Sequence, residues 1–210
     1  PDAGRCGGQP ARVNAIVRRA KTQGLRVKGA MPRTARSTHR RELLEAAGCF
    51  FRAACQIPGV RTISLFGSIV TDRPDPKDID LLLVVSDDTD LAAVATHSRR
   101  LQGRAQQFNR GADVFLANER NEYIGRVCRW RDCRPGIRAS CDALHCGRRP
   151  HLHDDFKDIR LSNETVQAPP VTVWPELIRR CRLPLDVEQA VTQFQTPSNT
   201  TLSDSISRTT

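Results

Sequence analysis

Two aspartates separated by one residue begin a long apolar run in the stretch LFGSIVTDRPDPKDIDLLLVV, residues 65–85. In a β-strand, side chains two positions apart point to the same face, so Asp78 and Asp80 would project together. Paired carboxylates are suitable ligands for Mg²⁺, whose coordination is usually completed by water and substrate phosphates. The pair therefore predicts chemistry on a phosphate-bearing substrate. A D-x-D motif before an apolar run is also common in proteins without such chemistry.

A Gly-Ser dipeptide strengthens the functional interpretation of this pair. Gly67 and Ser68 end a strand-like stretch, and nine residues separate them from Asp78. Glycine would let the backbone approach a triphosphate closely. Ser68 would offer a hydroxyl and an N–H near a helix N-terminus, which is a natural place for a phosphate to bind.

This combination resembles the signature of the nucleotidyltransferase superfamily, the DNA polymerase beta-like fold. That signature consists of an apolar residue, Gly, Gly or Ser, a spacer of similar length, and then acid, apolar, acid, apolar. The resemblance extends from about residue 40 to residue 117. It is closest to the minimal nucleotidyltransferases of bacteria and archaea, whose motif region often reads LFGS followed by SDIDLLV.

The resemblance implies a metal-dependent transfer of a nucleoside monophosphate from an NTP to an acceptor hydroxyl, with release of pyrophosphate. Asp78 and Asp80 would bind Mg²⁺ or Mn²⁺. Asp113, in the later stretch ADVFLA, would be the third carboxylate, which helps to hold the metal and could act as general base. The acceptor would be a protein side chain, a tRNA end or a small molecule such as an aminoglycoside. A small helical protein partner, as in toxin–antitoxin pairs, is one version of this function.

The chain also departs from the pattern of the minimal family members. They commonly continue Gly-Ser with an Arg and a Gly and place a Ser before the first Asp, but here those places hold Thr71, Asp72 and Lys77. Arg73 or Lys77 would then supply positive charge to the nucleotide phosphates, and Asp72 would oppose it. The alternative function is a catalytically degraded nucleotidyltransferase fold that binds RNA or a protein partner.

Four of the eight cysteines lie in one window with the spacing C-x4-C-x7-C-x4-C, namely Cys128, Cys133, Cys141 and Cys146. Four thiolates suit tetrahedral Zn²⁺, although ligands within a pair are usually separated by about two to four residues. A histidine could replace one sulfur, and the candidates are His145, His151 and His153. Reduced thiols in an Arg-rich loop and disulfides are the alternatives that the sequence leaves open.

The same window is basic, because residues 117–150 contain eight Arg and four acidic residues. Tyr123 and Trp130 lie among these arginines, and Arg beside an aromatic ring can stack on nucleic-acid bases. An ordinary salt-bridged surface would have the same composition. The window therefore leaves RNA binding open without establishing it.

The net charge of +10 is concentrated at the N-terminus. Residues 1–41 contain 11 of the 33 Arg and Lys residues and one of the 23 acidic residues, so the rest of the chain is balanced. The total charge is therefore no argument for nucleic-acid binding. The sequence contains no apolar run near the ~18 residues that span a bilayer, and no signal-peptide pattern. We expect a cytoplasmic protein.

The periodicity of the first half predicts five elements: a helix at 39–56, strands at 60–66 and 79–85, a helix at 89–107, and a strand at 112–117. The strand at 79–85 is almost continuously apolar, which is typical of a strand buried on both faces. Asp87, Asp88 and Thr89 are candidate caps for the helix that follows it. The order of elements predicts an α/β (α+β) fold with a mixed β-sheet and flanking helices.

The second half has weaker patterns. Residues 154–170 have no clear period. Pro175 fits the first turn of a helix at 175–182, and a second short helix is predicted at 185–194. The predicted organisation is a disordered basic tail at 1–37, a nucleotidyltransferase-like core at 38–120, a Cys- and Arg-rich irregular segment at 121–170, C-terminal helices at 171–194, and a disordered tail at 195–210.

Overall fold

The structure is a computed structural model of the chain. It describes residues 33–129, 146, 149–153 and 159–195. The tails predicted at 1–37 and 195–210 therefore lie mostly outside the described residues.

The centre of the fold is a seven-stranded mixed sheet. In chain order its strands are β1 (Val60–Phe66), β2 (Asp78–Val85), β3 (Gly111–Ala117), β4 (Tyr123–Val127), β5 (Leu152–His153), β6 (Val171–Trp174) and β7 (Ile178–Arg179). Their spatial order is β5-β4-β3-β2-β1-β6-β7. Among these strands β2 and β3 are the parallel pair, and the other neighbours are antiparallel.

Four helices accompany the sheet within the described ranges: α1 (Arg33–Ala54), α2 (Leu91–Gln107), α3 (Asn163–Gln167) and α4 (Leu185–Gln195). α2 forms the crossover that a parallel β2–β3 pair requires. It is capped by Asp90, whose carboxylate accepts a hydrogen bond from the N–H of Ala92 at 2.8 Å. α1 packs against both α2 and α4. None of the described helices is long and apolar enough to cross a bilayer.

The two faces of the sheet differ. One face, here called the helical face, packs against α1, α2 and α4 and contains the main apolar core, including Ile79, Leu81, Leu83 and Val85 of β2. The opposite face, here called the acidic face, has a smaller apolar cluster that includes Leu82 and Val84. Because side chains alternate along a strand, Asp78 and Asp80 share the acidic face with Leu82 and Val84. The prediction that β2 is buried on both faces is confirmed for its apolar part.

The structure confirms the elements predicted between residues 60 and 117, with shifts of one or two residues at their ends. α1 begins earlier than predicted, at Arg33, inside the range that was expected to be irregular. α4 confirms the short helix predicted at 185–194. These elements have strong periodicity, which local sequence shows directly.

The helix predicted at 175–182 is wrong, because β7 lies there and pairs with β6. Proline suits the first turn of a helix, but its fixed φ equally suits a connection between strands. Here β6 pairs with the free edge of β1, with Ile63 opposite Trp174, and this pairing favours strands over a helix.

The Cys- and Arg-rich segment at 121–170 is also less irregular than predicted. It supplies β4, β5 and α3, and its two strands extend the sheet beyond β3. The sheet thus draws strands from three of the ranges that the sequence had suggested as separate units.

Candidate functional site

The parallel pair β2–β3 brings two of the predicted aspartates side by side. Asp80 pairs in register with Asp113, and Asp78 lies opposite Gly111. Since residues at equal register on adjacent strands point to the same face, the carboxylates of Asp80 and Asp113 are neighbours on the acidic face. Asp78 is exposed at the start of β2, whereas Asp80 and Asp113 are half-buried.

The environment of Asp80 is unfavourable for its negative charge. Burial, followed by repulsion from Asp113 and then from Asp78, raises the pKa of Asp80 to about 7. Asp80 therefore takes up a proton far more readily than an ordinary aspartate does. A cation bound beside Asp80 would stabilise its negative charge and so offset both the cost of burial and the repulsion.

Two glycines let the backbone lie against the D-x-D carboxylates. Gly67 has φ +77°, and a Cβ added there would clash with Oδ2 of Asp80. A Cβ at Gly111 would clash in the same way with Oδ1 of Asp78. The sequence had suggested that Gly67 makes room for a triphosphate. In the structure this glycine also makes room for Asp80.

Ser68 does not lie at the N-terminus of a regular helix, as the sequence had suggested. Gly67–Val70 form a single 3₁₀ turn of four residues, after which Thr71 is extended. The carbonyl of Ser68 accepts hydrogen bonds from the N–H of Thr71 at 3.3 Å and from its hydroxyl at 2.8 Å. The turn is closed by its own residues, and it places Ser68 next to Gly67 at the end of β1.

Arg40 of α1, which was not among the predicted site residues, holds this turn and the segment after it. Its guanidinium donates hydrogen bonds to the carbonyls of Ile69 and Thr71, both at 2.7 Å, and of Arg73 at 2.8 Å. It also forms an ion pair with Asp186 of α4 at 2.9 Å. Arg40 is only 5% exposed. The available signal was an arginine at a helical position on the buried side of α1.

The structure does not bring the predicted nucleotide-binding cations to the carboxylates. The side chains of Arg73 and Lys77 are exposed, and within the described part of the chain neither forms an ion pair with Asp78, Asp80 or Asp113. Their backbones are fixed instead. The carbonyl of Lys77, for example, accepts a hydrogen bond from the N–H of Gly111 at 2.9 Å.

Two other arginines, one within β4 and one just after it, approach the acidic cluster, the name used here for Asp78, Asp80 and Asp113. Arg129 Nη1 donates a hydrogen bond to Asp113 Oδ1 at 2.9 Å, and Arg126 Nη1 lies 3.7 Å from the same oxygen. Arg126 is buried, and it lies opposite Phe115 in the β3–β4 register. Both arginines belong to the arginine-rich window, but nothing in the local sequence connects them with Asp113.

The ion pair between Arg129 and Asp113 bears on the predicted magnesium site. Among the residues that the structure describes, no group of three or more His, Cys, Asp and Glu side chains is arranged to hold a metal ion. Asp113 contacts Arg129 instead. The oxygen ligands that Mg²⁺ prefers are present on β2, in Asp78 and Asp80, and burial followed by repulsion from the neighbouring carboxylates raises the pKa of Asp80. These residues fit a divalent cation in part, and Asp113 would complete the set once separated from Arg129.

The cysteine cluster is described in part. Cys128 and Cys146 are both buried. Cys133, Cys141 and the nearby His145 lie outside the described residues. His151 has φ +62°, and burial followed by repulsion from Arg99 lowers its pKa. The zinc site therefore stays a prediction, as does base stacking by Trp130, which also lies outside the described residues.

The fold and site define a mixed α/β protein whose central parallel strands carry paired aspartates at one end. A family model matches residues 23–163, and the chain belongs to that family, which is described as a family of unknown function (DUF6932). No curated protein and no solved structure matches the chain.

Proposed function

We propose that this protein is a metal-dependent nucleotidyltransferase, which transfers a nucleoside monophosphate from an NTP to an acceptor hydroxyl and releases pyrophosphate. The observation that carries the proposal is the in-register pairing of Asp80 with Asp113, with Gly67 directly against Asp80. Carboxylates at this spacing repel one another, so their placement beside a glycine turn is easier to explain by function than by stability.

The strand order supports a nucleotidyltransferase-like fold. β1 is antiparallel to β2, and Phe66, the residue before Gly67, lies opposite Asp80. β2 is parallel to β3. The end of β1 and the starts of β2 and β3 therefore meet at one edge of the sheet, and this edge collects the Gly-Ser turn and the three aspartates.

Each residue has a defined role in this proposal. Asp78 and Asp80 would hold Mg²⁺ or Mn²⁺, which when bound supplies stabilisation of the charge that develops on the phosphorus-bound oxygens. Asp113 would accept the proton of the acceptor hydroxyl. Gly67 and Ser68 would let the backbone approach the phosphates, while Arg40 keeps the following segment in place through three carbonyls.

A second candidate function is a binding module with the same fold and no catalysis. The ion pair between Arg129 and Asp113 favours it, because this pair neutralises the third carboxylate without a metal. The positions where minimal nucleotidyltransferases commonly have Arg, Gly and Ser also differ here, at Thr71, Asp72 and Lys77. An RNA or a protein would then be the ligand.

Transfer of label separates the two functions. Purified protein is incubated with each α-labelled NTP, with Mg²⁺ or Mn²⁺, and with cell lysate as the source of acceptors. We expect a labelled product and released pyrophosphate, and we expect Asp80→Asn to reduce the rate by roughly 100-fold or more, as the loss of a single electrostatic stabiliser does elsewhere. The matched control is Asp87→Asn, in the exposed turn after β2, which should retain the wild-type rate.

The contrary result is equally defined. If wild-type protein labels no acceptor and gains no thermal stability from Mg²⁺ with any NTP, the transferase proposal fails and the binding module replaces it.

A further inference from the structure

Two guanidinium groups lie at the acidic cluster and have no role in the proposed reaction. Arg129 and Arg126 both approach Oδ1 of Asp113, at 2.9 and 3.7 Å. Both side chains are largely buried, with 13% and 7% of their surfaces exposed. Arg126 belongs to the acidic face because it lies opposite Phe115, which shares this face with Asp113. Arg129 reaches the same face through its hydrogen bond to Asp113.

The charges of the cluster are unevenly paired. The two arginines act on Asp113, whereas Asp80 remains under repulsion from Asp113 and Asp78. Among the described residues, no ion pair involves Asp78 or Asp80, and these carboxylates lie next to guanidinium groups that are suited to an anion. A free cation would bind close to Arg129, and a free anion would bind close to three carboxylates, so each alone meets repulsion. A ligand that brings both charges together avoids both penalties.

We propose that Arg129 and Arg126 bind the phosphate oxygens of a metal-bound polyphosphate, with Arg129 leaving Asp113 for the phosphates as Asp113 joins the cation. This inference rests on the proposed function for the divalent cation at Asp78 and Asp80. Guanidinium groups bind phosphates through two parallel hydrogen bonds, a geometry that the exposed Lys77 cannot provide. The exchange of partners leaves no charge in the cluster without a counter-ion.

The positions of the two arginines suggest different contributions. Arg126 lies within β4 and is fixed by its pairing with Phe115 and His153. Arg129 follows the last residue of β4, Val127, by two positions and so lies outside the strand. Arg129 is therefore the group that changes partner, and Arg126 supplies a fixed positive charge beside it.

Inorganic tripolyphosphate tests this proposal without any nucleotide transfer. Calorimetry gives the affinities of the full chain for Mg²⁺ alone, for tripolyphosphate alone, and for the magnesium complex of tripolyphosphate. We expect wild-type protein to bind the complex more tightly than either component. In Arg129→Gln, affinity for the complex should fall about tenfold or more, as expected for the loss of a charge-assisted hydrogen bond. Affinity for Mg²⁺ alone should rise, because the hydrogen bond from Arg129 no longer competes for Asp113 Oδ1.

Two further variants make the result specific. Arg120→Gln removes the same charge from an exposed position in the β3–β4 connection and should leave all three affinities unchanged. Arg129→Lys keeps the charge but lacks the planar fork, and its affinity for the complex should lie between those of wild type and Arg129→Gln. This variant also serves if Arg129→Gln does not fold.

Two outcomes overturn the inference: wild-type protein that does not bind the complex, or Arg129 variants that bind it as tightly as wild type. Arg129 would then be a counter-ion of Asp113 alone. The proposed function fails separately. If the complex binds as expected but no NTP is a substrate, the phosphate-binding arginines stand and the transferase does not. If transfer occurs and Arg129→Gln binds the complex normally, the transferase stands and the phosphate-binding role of the arginines fails.

Discussion

The two faces of β2 use the same strand for opposite purposes. On the helical face, Ile79, Leu81 and Leu83 are almost completely buried against α1 and α2. On the acidic face, the alternate positions begin with Asp78 and Asp80 and become apolar only from Leu82 onward. The start of β2 on the acidic face is therefore charged, whereas the other side chains of the strand belong to the apolar clusters.

This difference shows where the fold gains and loses stability. Burial of an aliphatic side chain stabilises the folded state by roughly 1.5–3 kcal/mol. Burial of Asp80 beside two other carboxylates does the reverse, as its raised pKa shows. A local loss of stability at a group with suitable chemistry is a common property of functional sites. Substitutions on the two faces should therefore change stability in opposite directions.

The largest effect is expected on the helical face. Leu83 is 0% exposed, so Leu83→Ala should leave a cavity and lower the free energy of unfolding by about 2–5 kcal/mol. Urea denaturation measures this change. The control is Leu185→Ala, at a position that is 74% exposed, which should change stability by less than about 0.5 kcal/mol. Equal losses in the two variants would contradict the placement of the core on this face.

On the acidic face, Asp80→Asn should increase stability in a pH-dependent way. The folded protein binds the Asp80 proton more tightly than the unfolded chain does, since the pKa rises from 3.8 to about 7. The free energy of unfolding of wild type therefore loses this contribution as pH rises from about 4 to about 7, and the loss is complete above pH 7. Asn does not titrate. The advantage of the variant should grow from near zero at about pH 4 to roughly 2–4 kcal/mol at about pH 8.

Denaturation of both proteins across this pH range, without divalent cations, measures that advantage as a difference. Other titrating groups act on both proteins and largely cancel. Asp87→Asn, in the turn that follows β2, provides the comparison for a charge change at an exposed site. An advantage of Asp80→Asn that stayed constant with pH would show that burial and repulsion do not raise the pKa of Asp80 as described here.

A smaller effect is expected at the turn between β1 and the site. Gly67→Ala places a methyl group at φ +77° and against Asp80, so it should destabilise the fold by about 1–2 kcal/mol and displace the carboxylate. Gly103→Ala, in α2 with open space around it, should instead stabilise the fold by up to about 1 kcal/mol. Thermal melting of both variants measures the contrast, and a gain at both positions would argue against a close contact between Gly67 and Asp80.

The elements between residues 60 and 117 could be predicted because their information is local. The alternation of VRTISLF and the continuous apolar run after Asp80 specify strands on their own. The shared face of Asp78 and Asp80 follows from the two-residue period of a strand. The proximity of Asp80 to Asp113 was expected from a family resemblance, and the register of β2 and β3 places the two residues side by side.

Other features depend on contacts between distant parts of the chain. β6 and β7 are short strands in a region where Pro175 favours a helix locally. They form because β6 pairs with the free edge of β1, more than a hundred residues earlier in the chain, and β7 pairs with β6. The same holds for Arg40, whose three carbonyl partners lie about thirty residues further along the chain. Periodicity identifies the face of a helix and does not identify the loop that this face will meet.

The sequence by itself thus determined the types of residue at the site and the face of β2 on which the D-x-D pair lies, because both follow from local geometry. The tertiary structure alone decided the electrostatic state of the site. It buried Asp80 between two like charges, replaced the expected helix N-terminus by a single turn, and brought Arg126 and Arg129 to Asp113. Burial and charge–charge interactions depend on distances in space, and distances between remote residues are set when the sheet assembles.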